Sequence, residues 1–198
     1  MSYKEKDTIR GKSGMVTRRT LLANIASAAS IVVAAPVLAK APGFLRGAGD
    51  IRKIRFRNFN TGEFINSVYW IEGSYVDGAL REIDYFMRDW RQNKERPYDP
   101  ANIDILSATQ GLLDSSEPFY LLSGYRTRKT NKMLSRMTDG VAQNSYHVKA
   151  MAADIRMRTR STDKISKAAK SFKTGGVGRY ARSGFVHIDS GPFRTWTS

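Results

Sequence analysis

From residue 51 onward, apolar positions recur first at the period of a strand and then at that of a helix. Ile51-Arg-Lys-Ile54-Arg-Phe56-Arg-Asn-Phe59 alternates apolar with basic residues, Asn60-Thr-Gly-Glu63 supplies turn chemistry, and Phe64-Ile-Asn-Ser-Val68-Tyr-Trp70 follows, which predicts a β-hairpin. Leu80, Ile83, Phe86, Met87 and Trp90 then fall at helical spacing. Asp99-Pro100 is suited to cap a second helix that carries Ile103, Leu106, Leu112 and Leu113. Residues 119–123, a short apolar run between Pro118 and Gly124, predict a buried strand, and residues 129–137 a helix. A strand over 152–157, an amphipathic helix over 163–173 and a hairpin of 177–180 with 185–188 complete the pattern. The tail, Gly191-Pro-Phe-Arg-Thr-Trp196, is expected to pack Phe193 and Trp196 on the body in a structural role.

These elements imply an α+β fold in a single domain, residues 51–198, with a small antiparallel or mixed sheet and flanking helices. No repeat or low-complexity tract interrupts it. Residues 40–50, with their Gly and Pro, read as a linker.

Residues 1–39 have a different character. Arg18-Arg19-Thr-Leu-Leu leads into an Ala- and Ser-diluted apolar run that ends in Val37-Leu38-Ala39, small residues where a signal peptidase reads. This order predicts an export signal cleaved after Ala39, and the arginine pair resembles a twin-arginine signal. A general secretory signal or an uncleaved anchor are the alternatives, and Met15 offers a second possible start. The expected destination is the periplasm or cell envelope, with membrane contact only through this segment.

Cysteine is absent, so disulfides and thiolate metal sites are excluded. The formal net charge is +15, and residues 1–39 hold six Lys/Arg and two Asp/Glu, so without them it is +11. A basic exported domain is drawn to anionic polymers. The basic residues are scattered and accompany no nucleic-acid motif, so no nucleic-acid partner is expected; a binder of nucleic acid or lipid through charge alone is a minor alternative.

The chain has two histidines. His147 lies in Ser145-Tyr-His-Val-Lys-Ala-Met-Ala-Ala-Asp154, and His187 in Gly184-Phe-Val-His-Ile-Asp189. Two imidazoles and one carboxylate with an open position is the donor set of a catalytic zinc site, where the ion acidifies water and polarises a carbonyl. Taken singly, each histidine also fits a loop or core role.

Ser123-Gly-Tyr-Arg126-Thr127, Thr130-Asn131, Ser145-x-His147, Ala152-x-Asp154-Ile155, and Gly175-Gly-Val-Gly-Arg-Tyr180 through Phe185-Val-His187-Ile-Asp189 occur in one order. That order resembles the zinc D-Ala-D-Ala peptidases, which share a fold with the hedgehog signalling domain, and within them the murein endopeptidase K-like branch. The resemblance spans about residues 51–196, with its specific motifs from Ser123 onward. It implies Zn2+ held by His147, Asp154 and His187, and Arg126 as a substrate or oxyanion contact. It implies a peptidase acting on the peptide stems of peptidoglycan, as murein endopeptidase or D,D-carboxypeptidase, and we expect a monomer. A non-catalytic zinc-stabilised cell-wall-binding module is the alternative.

Two positions depart from the family pattern. Ala150 stands where Gly is usual, tolerable if its backbone angle is negative. Gly184 stands where many relatives carry the acidic general base, three residues before the late histidine. Asp189, on the same strand face as His187, is the candidate substitute, as base or as a partner that orients a ligand. Tyr125, Tyr146 and Tyr180 are candidate donors to the transition state, with core or pocket wall as the alternative.

Overall fold

The computed structural model describes residues 50–137 and 141–198. The expected export signal, and all of the linker except Asp50, lie outside the described residues. Strands β1 (Ile51–Asn58) and β2 (Phe64–Ile71) form the hairpin, and β3 (Ser74–Tyr75) lengthens its edge. Then come α1 (Asp77–Phe86), α2 (Pro100–Leu112), β4 (Phe119–Ser123), α3 (Arg128–Met137), one 3₁₀ turn (Tyr146–Lys149), β5 (Ala152–Arg156), α4 (Thr162–Ser171), β6 (Gly176–Tyr180), β7 (Phe185–Asp189) and β8 (Arg194–Thr197). The eight strands make one open mixed sheet in the order β3-β2-β1-β4-β5-β7-β6-β8. The fold is α+β, as the element pattern implies.

Local chemistry sets the boundaries. Asp99 caps α2 by accepting from the Ala101 N–H, with Pro100 in the first turn, where its missing donor costs nothing. Helix α1 stops at Phe86 rather than running to Trp90. Asp89 N–H turns instead to Lys94 O, and Met87 O receives the Tyr125 N–H, so the chain after α1 serves as a ledge for the loop that follows β4. Trp90 is half-buried in that turn with Arg91 stacked over it.

The sheet has two unlike faces. Side chains directly opposite one another on paired strands share a face. The register Ala153↔Ile188, Ile155↔Val186 and Val177↔Ile188 therefore gathers one apolar surface from β5, β7 and β6. Ile103, Ile105 and Leu106 of α2 and Ile165 and Ala169 of α4 cover it, all at 2% exposure or less. The intervening residues of the same strands, Asp154 and His187 among them, face the other way.

The tail corrects the expectation in part. It forms strand β8, which pairs parallel to β6, while Phe193 is exposed rather than packed on the body. Trp196 does pack inward, with its ring centroid 5.4 Å from that of His187. Its position is that of a site wall, which a purely structural reading did not anticipate.

Candidate metal centre

His147 is presented by the 3₁₀ turn. Ser145 starts the turn by accepting from the His147 N–H (3.3 Å), and Ala150 ends it in the left-handed region, φ 57° and ψ 40°. The condition under which alanine would be unstrained here, a negative angle, is therefore not met. The sharp reversal is needed to lead the chain into β5, and it places a fully buried methyl where glycine is the unstrained choice. The turn is stitched to the loop after β4 in both directions: Arg126 N–H donates to His147 O (3.1 Å), and His147 Nδ1–H donates to Gly124 O (2.7 Å). That second bond fixes the tautomer and leaves Nε2 without a proton.

Asp154 and His187 meet across the β5/β7 pairing. A lateral row runs Asp154, His187, Gly178, Trp196 over β5, β7, β6 and β8, and the next runs Ala152, Asp189, Gly176, Arg194. Each glycine is where a large neighbour crosses. A Cβ on Gly178 would collide with the indole of Trp196, and one on Gly176 with Asp189 Oδ2 and the Arg194 guanidinium. Trp196 can therefore reach His187, and Arg194 can reach Asp189.

The imidazole of His187 lies between two carboxylates, with Nδ1 2.9 Å from Asp154 Oδ1 and Nε2 2.9 Å from Asp189 Oδ2. Burial acts to lower its pKa, but the two carboxylates outweigh burial and push it up to about 8. His147 goes the other way: burial, helped by the Arg126 charge, lowers it to about 4. Burial would raise Asp154, yet the imidazoles and the Arg126 guanidinium hold it well below the usual carboxylate range. Asp154 is thus ionised and His147 neutral at neutral pH, as a metal ion requires, whereas His187 must give up a proton to become a ligand.

The donor geometry fits a metal ion. His147 Nε2 is buried, has no hydrogen-bond partner among the described residues, and lies 3.1 Å from Asp154 Oδ1. A bare lone pair held against an ionised oxygen is unfavourable unless a cation stands between them. One donor atom from each of His147, Asp154 and His187 lies within 4.8 Å of the others. Arg126, 9% exposed, occupies the far oxygen, Asp154 Oδ2, through Nη2, while its Nε donates to Ser123 Oγ (2.7 Å).

The three donors sit in a cleft of about 690 Å³ whose walls include Arg126, Tyr146, Tyr180, Arg194 and Trp196. Asp154 is the one acidic side chain lining it among the described residues. Asp189, the candidate base, is fully buried behind His187 and receives the Gly176 and Gly191 N–H groups and both terminal nitrogens of Arg194. Burial would raise its pKa, but the His187 imidazole, the Arg194 guanidinium and the Gly191 N–H already hold its charge and keep the pKa far below the ordinary carboxylate value. Gly184 lies in the β6/β7 turn at φ 71°, a conformation that strains any acidic side chain there. Tyr180 OH accepts from Trp196 Nε1 (3.1 Å), which leaves its own proton available. Tyr125 packs against the core and does not line the cleft.

The family model described as "Peptidoglycan L,D-endopeptidase MepK" matches residues 46–196. The chain belongs to this family. The peptidoglycan L,D-endopeptidase MepK of Escherichia coli (strain K12) is 42% identical over 145 residues, covering 73% of this chain and 80% of that protein. The Shigella flexneri protein of the same name matches equally. The probable peptidoglycan L,D-endopeptidase MepK of Haemophilus influenzae is 37% identical over 148 residues, covering 73% of this chain and 78% of that protein. Membership in a peptidase family agrees with the resemblance read from the ordered motifs.

Arg194 and Trp196 are the site residues that sequence reasoning missed. Their signal was present in Gly176-x-Gly178 opposite His187-x-Asp189, a pair of vacancies facing two large polar groups, but it becomes readable only once β8 is known to lie against β6. Asp89 is a further contributor: its Oδ2 accepts from both the Thr127 N–H and Thr127 Oγ1 at 2.9 Å, anchoring the loop that presents Arg126.

Proposed function

We propose that this protein is a zinc-dependent peptidoglycan L,D-endopeptidase that works in the cell envelope, its N-terminal 39 residues serving as the export signal. The observation that carries the reading is the unpartnered His147 Nε2 converging with Asp154 Oδ1 and His187 Nδ1 at the base of an open cleft. The names of the family relatives supply the substrate class, and between the endopeptidase and carboxypeptidase types they favour the endopeptidase. Three protein donors with an open side is the arrangement of catalytic rather than structural zinc, and zinc so held supplies Lewis acidity to a carbonyl and to water.

The chain's own residues do the rest. Asp189 fixes the ring of His187 so that Nδ1 faces the site. Arg126 holds Asp154 from behind and presents a guanidinium at the cleft wall, where it meets the oxyanion that develops as the amide carbonyl is attacked. Tyr180 has a proton to donate toward that same charge or toward the leaving nitrogen. Trp196 and Tyr146 wall the cleft and reduce its water content.

The test is incubation of the purified protein with L,D-crosslinked muropeptides and zinc, with separation of products. New fragments that disappear in His187→Ala support the hydrolase. Tight binding without any fragment would replace it with a non-catalytic cell-wall-binding module, the reading that Gly184 at the usual base position favours.

A further inference from the structure

A second cavity, about 390 Å³, adjoins the cleft and shares Asn144 and Ser145 with it. It is bounded by α3 and the 3₁₀ turn, and its walls carry Arg128, Lys132 and Lys149 with no acidic residue among the described residues. All three cations are exposed, and none is ion-paired among the described residues. Lys149 rests on the ring of Tyr146 at 4.8 Å, which ties this cavity to the wall of the cleft.

Asn131, also in the lining, is 3% exposed. Its Nδ2 donates to Ala142 O (3.0 Å) and Gln143 O (3.4 Å), which fixes the orientation of the amide. Its Oδ1 is then buried with no hydrogen-bond partner among the described residues. An acceptor left in that state is unfavourable, so among the described residues the cavity lacks a donor as well as an anion. An anion without a proton, such as chloride or sulfate, supplies only the charge. A peptide segment with a free carboxylate supplies both, since its backbone N–H lies a few bonds from the acid.

We propose that this cavity is a subsite for a carboxylate-bearing stretch of the substrate peptide beyond the bond to be cut. The carboxylate pairs with Arg128, Lys132 and Lys149, and a peptide N–H donates to Asn131 Oδ1. The assignment rests on the peptidase reading for which peptide enters the cleft, whereas the binding itself is read without turnover.

The full chain is titrated with a soluble muropeptide in its free-acid form, and with the same muropeptide amidated at its carboxylates, while metal is removed by chelation. Cleavage of both is then followed with zinc present. The wild type is expected to bind the free acid at least about tenfold more tightly, a difference of about 1.4 kcal/mol. The Arg128→Gln/Lys132→Gln protein is expected to bind both forms at the amidated level with an unchanged melting temperature. Equal affinities in the wild type, or discrimination that survives in the double variant, would overturn the subsite. Discrimination in binding with no cleavage of either form would overturn the hydrolase and leave the subsite standing. Cleavage without discrimination would do the reverse.

Discussion

Asp189 Oδ2 accepts from His187 Nε2 at 2.9 Å and thereby turns Nδ1 of that ring toward Asp154. A carboxylate behind a ligating imidazole sets its tautomer and raises its basicity, and loss of such a partner typically costs about 10–100-fold in metal affinity or activity. Asp189→Asn is therefore expected to weaken metal binding by that order, measured by competition with a chromophoric chelator. If metal affinity is unchanged while turnover is abolished, Asp189 is the proton-abstracting base rather than a positioning residue.

Metal uptake should depend on pH through a single proton. In the metal-free protein the His187 pKa is raised from 6.5 to about 8, so the stability its charged form adds is complete below about 6.5 and is lost as pH rises through about 8. His147, lowered to about 4, is already neutral over this range. Apparent zinc affinity is expected to rise about tenfold per pH unit between roughly pH 5 and 8 and then level, with one proton released from His187. Calorimetry in buffers of different ionisation enthalpy counts that proton, and a flat profile would contradict the assignment of His187 as a ligand.

Ala150 is held at φ 57° with no exposed surface. A left-handed conformation costs a non-glycine residue roughly 1–2 kcal/mol, and a β-branched side chain more. Ala150→Gly relieves that strain but loses a buried methyl and gains unfolded-state entropy, so it should stay within about 1 kcal/mol of wild type. Ala150→Val should cost more than about 2 kcal/mol. Denaturant unfolding of the two variants checks the contrast.

The indole of Trp196 occupies the space above Gly178. In Gly178→Ala the added methyl must displace the ring from His187, at a cost of about 1–3 kcal/mol as for other overpacked sites. A red shift in tryptophan emission accompanying the lost stability would mark the displacement. No change in emission or melting temperature would mean that Trp196 does not rest there in solution.

Much of this was legible in the sequence because the relevant signals are local. Alternation in residues 51–70 predicted the hairpin, and Asp99-Pro100 marked the start of α2. The donor chemistry of His147, Asp154 and His187, with the ordered motifs around them, singled out these three, although the β5/β7 pairing is what brings Asp154 to His187. What the sequence did not disclose depends on pairings distant along the chain. The parallel contacts of β1 with β4 and of β6 with β8 leave no periodic trace, and the second decides that Trp196 and Arg194 belong to the site. The end of α1 at Phe86 depends on Tyr125 and Lys94 taking the next backbone groups, against a helical spacing that continues to Trp90. Ala150 shows the opposite case, where local preference argues for a negative angle and the turn between His147 and β5 imposes a positive one.

The most direct measurement is the metal content of the purified protein beside Asp154→Ala, with circular dichroism to confirm that both are folded. About one zinc per wild-type chain is expected, with loss of the metal in the variant, whose two remaining donors no longer close the site. A folded wild type that takes up no zinc, or a variant that binds it as well as the wild type, would contradict the assignment of His147, Asp154 and His187 as the metal centre.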